Sequence, residues 1–156
     1  NVGTSPLVKY DVSDAVTPSG EAIFGKDLKY SFIQIYNENE IFKEDYYLFN
    51  IYYENVTKKI VAISARNKSI DKDNCLKTRN LNISEYKSKN KITSLFNEQE
   101  NENDYSNGLT ILDVSFYGPN KIFTYACYIY SPDDIDYSFA VYENKYNDWI
   151  QEKVNK

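Results

Sequence analysis

The chain has 156 residues, 42% of them apolar, and a formal charge of −5 from 18 Lys and Arg against 23 Asp and Glu. That length suits one core burying roughly two-thirds of the unfolded surface, and the negative charge offers no basic field to a phosphate backbone or an anionic membrane. No run of about 18 apolar residues is present to span a bilayer, and with no His the commonest general base and metal ligand is missing, which excludes hydrolase triads built on it.

Aromatic residues make up 16% of the chain, 16 Tyr and 8 Phe among them, while Gly and Pro number only 5 and 4. Tyrosine suits half-buried strands, because its ring packs while its hydroxyl reaches a partner or water. A single β domain over residues 1–156 is the expectation. The chain contains no Met and opens Asn-Val-Gly-Thr, as expected of a processed product that has lost an initiator and a signal peptide, or of a recombinant fragment.

Residues 1–27 mix Pro, Ser, Thr and Gly with isolated apolar residues and show no lasting periodicity, so they read as an irregular arm that covers a sheet edge or one end of a barrel, with a mobile terminus as the alternative. Leu28–Tyr36 alternates with at least one firmly apolar face, and Tyr46–Glu54 carries aromatics on both faces, which predicts a strand followed by an interior one. Asn55–Thr57 turns the chain into a short strand over Lys58–Ala65. Arg66–Asn74 is then a charged connection, Cys75–Ile83 and Lys91–Phe96 are weaker strands, and Asn97–Asn107 is so polar that it reads as an exposed loop.

From Leu109 the pattern sharpens. Leu109–Tyr117, Lys121–Tyr130 and Asp136–Asn144 are rich in β-branched and aromatic residues and are separated by Gly118-Pro119-Asn120 and Ser131-Pro132-Asp133-Asp134, which predicts a three-stranded antiparallel meander. The middle run is apolar or aromatic on both sides and belongs inside a sheet. Tyr146, Trp149, Ile150 and Val154 then share one face of a C-terminal helix over 146–155, with Asp148 near its start and Lys153 and Lys156 near its end to match the helix dipole. The sole Trp should pin that helix to the sheet.

Cys75 and Cys127 fall in separate predicted strands, and a disulfide between them is expected in an oxidising compartment; two buried free thiols are the alternative. Asn55-Val56-Thr57, Asn67-Lys68-Ser69 and Asn82-Ile83-Ser84 match the N-glycosylation acceptor, although an Asn-rich chain produces such matches by chance. Asp133, Asp134 and Asp136 sit in one turn without the spacing or the glycine of a calcium loop, and Ser-Pro-Asp-Asp reads as ordinary turn chemistry. Neither a phosphate loop nor a nucleophile elbow is visible, so no enzyme activity, cofactor or metal is expected.

Eight candidate strands joined by short turns and followed by one helix predict an all-β fold, an eight-stranded antiparallel up-and-down barrel, with a two-sheet β-sandwich as the alternative. The late strand Tyr125-Ala126-Cys127-Tyr128-Ile129-Tyr130, the closing strand Tyr137-Ser138-Phe139-Ala140-Val141-Tyr142 and the terminal helix resemble the lipocalin group. Tyr46-Tyr47-Leu48 and Asn74-Cys75-Leu76 also loosely resemble features of its divergent arthropod salivary branch. The resemblance spans about residues 28–155. It implies a lipocalin-like barrel with a cavity for a small hydrophobic or amphipathic ligand.

From the residues themselves, Tyr30, Phe32, Tyr52, Tyr125 and Phe139 are candidate lining rings, able to stack on a ring or hold a cation, and Asp113 interrupts a partly apolar face where it can pair with a ligand amine. The plain alternative makes these rings ordinary core and turns Asp113 to solvent. Two functions follow: a secreted protein that carries or sequesters a small lipid or biogenic amine, or a secreted parasite or viral protein that binds a host protein through its surface. Nucleic acid is not an expected partner of either.

Overall fold

The computed structural model describes residues 9–11, 29–36, 46–89 and 91–154. In chain order they form β1 (Lys9–Asp11), β2 (Tyr30–Tyr36), β3 (Leu48–Glu54), β4 (Ile60–Ser69), α1 (Lys72–Ser88), β5 (Asn97–Asp104), β6 (Thr110–Tyr117), β7 (Lys121–Ser131), β8 (Asp134–Glu143) and α2 (Asn144–Val154). The strands make one antiparallel sheet in the order β1-β2-β3-β4-β8-β7-β6-β5. It consists of two meanders, β1 to β4 and β5 to β8, each followed by a helix and joined where β4 pairs with β8.

β7 sits inside this sheet as its two-sided apolar pattern requires: Tyr125 and Cys127 on one face are fully buried, and so is Ala126 on the other. The chain turns between β3 and β4 at Asn55–Thr57, where the Thr57 hydroxyl donates to Glu54 at 2.5 Å and the Glu54 N–H to the Lys59 carbonyl at 3.0 Å. Between β5 and β6 the N–H of Tyr105 donates to the Leu109 carbonyl at 2.9 Å and that of Gly108 to the Tyr105 carbonyl at 3.0 Å. This is a three-residue hairpin turn whose last position needs a positive φ, and Gly108 supplies it at +86°.

β4 runs on through Arg66–Ser69, expected as part of a charged connection, because these residues pair with β8. The structure departs from the expected fold in three further, connected places. Cys75–Ile83 is not a strand: it lies within α1, started by the Asp71 carboxylate, which accepts from the Asn74 N–H at 2.7 Å. Cys75, Arg79 and Ile83 recur every four residues and turn one side of this helix inward, with Leu76 and Tyr86 packed alongside. Lys91–Phe96 is a connection, held by the Lys91 N–H on the Tyr86 carbonyl and a turn from Thr93 to Phe96, whose ring packs where a side chain at residue 118 would lie.

The third departure is β5, a strand where an exposed loop was expected. It has no apolar residue, and its conformation comes from eight register pairs with β6.

These corrections decide the topology. In an up-and-down barrel each strand pairs with the next in sequence, whereas α1 carries the chain from β4 to the far edge, so that β4 pairs with β8 instead of β5. β1 and β5 end the sheet on opposite sides, and no pairing joins them among the described residues. The expected barrel closure is therefore not found, nor are the described strands split into the two sheets of a sandwich. Of the N-terminal arm, Lys9–Asp11 pairs along β2, and residues 1–8 and 12–28 lie outside the described residues.

The expected disulfide is present: Cys75 of α1 and Cys127 of β7 are bonded, with Cα atoms 6.0 Å apart. They are fully buried beside Ile135 and Tyr137, so the helix is fixed to the sheet at the centre of its main apolar cluster. α2 packs on the opposite face. Trp149 lies edge-on to Tyr30 at 4.9 Å between ring centroids, and Tyr146 at 5.2 Å, over Phe32, Val61 and Ala62. Trp149→Ala is expected to cost about 3–5 kcal/mol, read as a lower denaturation midpoint; an unchanged midpoint would show that this contact does not hold α2.

Candidate functional site

Strand register divides the side chains into two faces. One face is apolar: Val114, Tyr125, Phe139 and Ala65 stand in one transverse row, Phe116, Phe123, Val141 and Ile63 in the next, and α1 lies over β7 and β8. The other face is polar along its middle. Gln34, Asn50, Ser64, Ala140, Thr124, Ser115 and Gln99 succeed one another across seven strands without a ring or a branched aliphatic side chain. A row with Phe32, Tyr52, Ala62 and Tyr142 flanks it on the side of α2.

This division separates the candidate lining residues. Tyr30, Phe32, Tyr52 and Asp113 share the polar face, whereas Tyr125 and Phe139 lie on the apolar one. The latter two pack with tilted rings 5.0 Å apart, beside Tyr86 of α1, and Tyr125 is wholly inaccessible. The six do not surround one cavity. Period-two alternation puts residues 30, 32 and 52 opposite 125 and 139 only once the pairing is known, and α1 in place of a strand changes that pairing.

On the polar face a chain of hydroxyls leads to Asp113. Ser115 donates to its Oδ2 at 3.0 Å, which commits the Ser115 proton, so Ser115 accepts from Thr124 at 2.9 Å and Thr124 in turn accepts from the Tyr142 phenol at 2.9 Å. Such a one-way chain polarises each successive bond. Asn101 Nδ2 adds a second bond to the same oxygen at 3.2 Å, and Oδ1 accepts from no described residue. Tyr142 is pushed up to about 12, chiefly by burial, with the charge on Asp113 contributing. Burial and Asp113 also raise Tyr105. Asp113 is half-buried and has no cation partner among the described residues.

Asp136 shows the opposite condition. Buried between the ends of β4 and β7, it pairs with Lys68 at 2.8 Å and accepts from the Tyr47 phenol at 2.9 Å, while Arg66 stands 3.9 Å away. The Arg66 guanidinium lies 4.8 Å over the Tyr128 ring and donates to the Tyr130 hydroxyl at 3.0 Å. Lys68 also holds Asp134 at 2.8 Å, so two carboxylates of the Asp133–Asp136 turn neutralise cations of β4. The charge of Asp136 is thus countered from within the chain, by Lys68 at Oδ1 and by the Tyr47 phenol at Oδ2, and the group serves to pin β8 to β4.

The acceptor asparagines are placed unequally. Asn55 lies in the β3–β4 turn beside Val56, which is 90% exposed. Asn82 uses its Nδ2, the atom a glycan would occupy, to donate to the Tyr137 hydroxyl at 3.0 Å, and Asn67 is half-buried in β4. On the helix-covered face, Lys87, Ile92, Thr93, Ser94, Phe96, Glu98 and Phe116 line an open surface groove of about 590 Å³. Lys87 spans it to reach Glu98 at 2.8 Å.

No protein-family model matches this chain, and neither a curated protein nor a solved structure matches it.

The tyrosines provide a test of this geometry. Tyr47 is raised to about 12 by burial first and then by its bond to Asp136, and Tyr142 stands at a similar value. Because the folded values exceed the ordinary value near 10, the stability these phenols contribute is complete below about pH 10 and is lost as pH rises toward 12. Tyrosinate absorbance should rise in two stages, exposed phenols first. Asp136→Asn should move Tyr47 downward, since it leaves Lys68 and Arg66 unopposed. One stage near pH 10 in protein that is still folded would contradict the placement of Tyr47 and Tyr142.

Proposed function

We propose that the chain is a secreted, non-catalytic binding protein that carries or sequesters an amphipathic small molecule, gripping its protonated amine at Asp113. The observation behind this reading is a half-buried carboxylate with one oxygen saturated by Asn101 and Ser115, the other without a described partner, and no lysine or arginine paired to it. A carboxylate removed from water is stabilised by a cation held in hydrogen-bonding contact. Asp136, buried near the start of β8, already has such a cation from the chain itself, and Asp113 has none among the described residues.

The surroundings suit an amine attached to an apolar body. Tyr105 and Tyr128, packed against Ile111 and Ala126 beside Asp113, offer rings for that body, and the Ser115 and Thr124 hydroxyls provide a polar margin beside the carboxylate. A disulfide, and the absence of a helix long and apolar enough to cross a membrane among the described residues, are compatible with an extracellular protein.

Calorimetric titration with hydrophobic primary amines, the matching alcohols and fatty acids tests the assignment. Amines should bind more tightly than alcohols of the same skeleton. Asp113→Asn should weaken them by about tenfold or more, the scale of one hydrogen bond to a charged group, and leave the alcohols unchanged. Equal binding of amines and alcohols, or amines indifferent to Asp113→Asn, would remove Asp113 from the site.

A further inference from the structure

We propose that the outer edge of β5 is a docking edge that takes up an extended basic segment of another protein as an additional antiparallel strand. β5 is last in the sheet and pairs only with β6 among the described residues. Tyr105 turns its N–H and carbonyl toward the hairpin it closes. Antiparallel alternation then directs those of Asn97, Gln99, Asn101 and Asn103 to β6, and sends those of Glu98, Glu100, Glu102 and Asp104 outward. The register runs without a shift over all eight residues, and no Pro, Lys or bulge blunts the edge.

Charge selects the occupant. The outward-bonding residues are the acidic ones, and their side chains share the face that carries α1. Arg79 pairs with Glu100 at 3.0 Å and Lys87 with Glu98, Thr110 donates to Asp104 at 2.5 Å, and Glu102 has no cation among the described residues. A second copy of this chain, docked edge to edge about a two-fold axis through the sheet, would set these carboxylates against their own counterparts. Like charges directly opposite in a ladder are destabilising, and opposite charges are stabilising. A strand with Lys or Arg at alternate positions meets the carboxylates, while Thr, Asn or Gln between them faces the amides of Asn97, Gln99, Asn101 and Asn103 on the other side.

The test uses the disulfide-bonded full chain and a fluorescent, end-capped peptide of four Lys-Thr repeats, followed by anisotropy and amide exchange. Saturable binding is expected, with the amides of Glu98, Glu100, Glu102 and Asp104 exchanging fast in the free protein and slowly in the complex. Glu102→Gln should weaken binding by about two- to fivefold, the scale of one cross-strand charge pair. Glu102→Pro, which removes an outward N–H and so leaves the β6 ladder intact, should abolish binding with the circular dichroism retained. The same peptide N-methylated at its lysine backbone nitrogens should not bind, nor should a Glu-Thr repeat. Failure of the Lys-Thr peptide to bind, equal binding of the N-methylated peptide, unprotected outward amides or a β5-mediated homodimer at neutral pH would each overturn the proposal.

Discussion

The pairing of β4 with β8 is the contact on which the architecture rests. Eight register pairs, from Ala62 with Tyr142 to Ser69 with Ile135, join two meanders whose other contacts are mostly between sequence neighbours. The paired residues stand about 70 positions apart, so this is the ladder whose loop-closure entropy is greatest. The chain reinforces it from both sides. Asp136, deep in β8, draws Lys68 and Arg66 of β4 toward it, and the disulfide holds α1, which directly follows β4, to β7, the other neighbour of β8. Linking residues 52 apart removes enough freedom from the unfolded chain to contribute about 4 kcal/mol in the chain-entropy description.

Once that ladder is made, the two faces have different obligations. The face under α1 is sealed by rings and aliphatic groups, and even its buried charge, Arg79, is spent on the Leu112 carbonyl and Glu100. The opposite face keeps Asn50, Ser115 and Ser138 buried. Buried polar groups persist where they are bonded. Asn50 donates to Ser64 and Ser115 to Asp113, and the hydroxyl chain behind Ser115 needs an acceptor at its end that contributes no proton of its own. Asp113 is that acceptor, so its carboxylate organises the row as well as offering an open oxygen.

Legibility followed the strength of side-chain patterning. β2, β3, β4, β6, β7, β8 and α2 carry rings or branched residues at their periods, and all seven were placed from sequence within a few residues. α1 was misread because its inward positions are Cys75, Arg79 and Ile83: one of the three is charged, so the helical stripe fades. Asp71, with the four-residue spacing that follows it, was the available sign. β5 had no sign of its own at all, since a strand paired along one edge and wet on its faces needs no apolar residue. These two misreadings together produced the expected barrel. They also grouped Tyr125 and Phe139 with Tyr30, Phe32 and Tyr52, although each of the five was correctly read as a ring in a strand.

The distribution of countered and uncountered carboxylates links the fold to its proposed uses. Glu85, Glu98, Glu100, Asp134, Asp136 and Glu143 each meet a lysine or arginine of this chain. Where such pairs are exposed they add little to stability, and where one is buried, as at Asp136, its cation is the condition for burying the charge. Asp113 and Glu102 lack that counterpart among the described residues, and both lie on the β5–β6 half of the sheet, one on each face. With 18 cations for 23 acidic residues, some cations are shared, as Lys68 is between Asp134 and Asp136, and other carboxylates have none among the described residues. Solvent would accept them most cheaply on turns, yet one of these two ends a buried hydroxyl chain and the other stands on an unpaired sheet edge, positions where an incoming cation gains directional partners that water already supplies elsewhere.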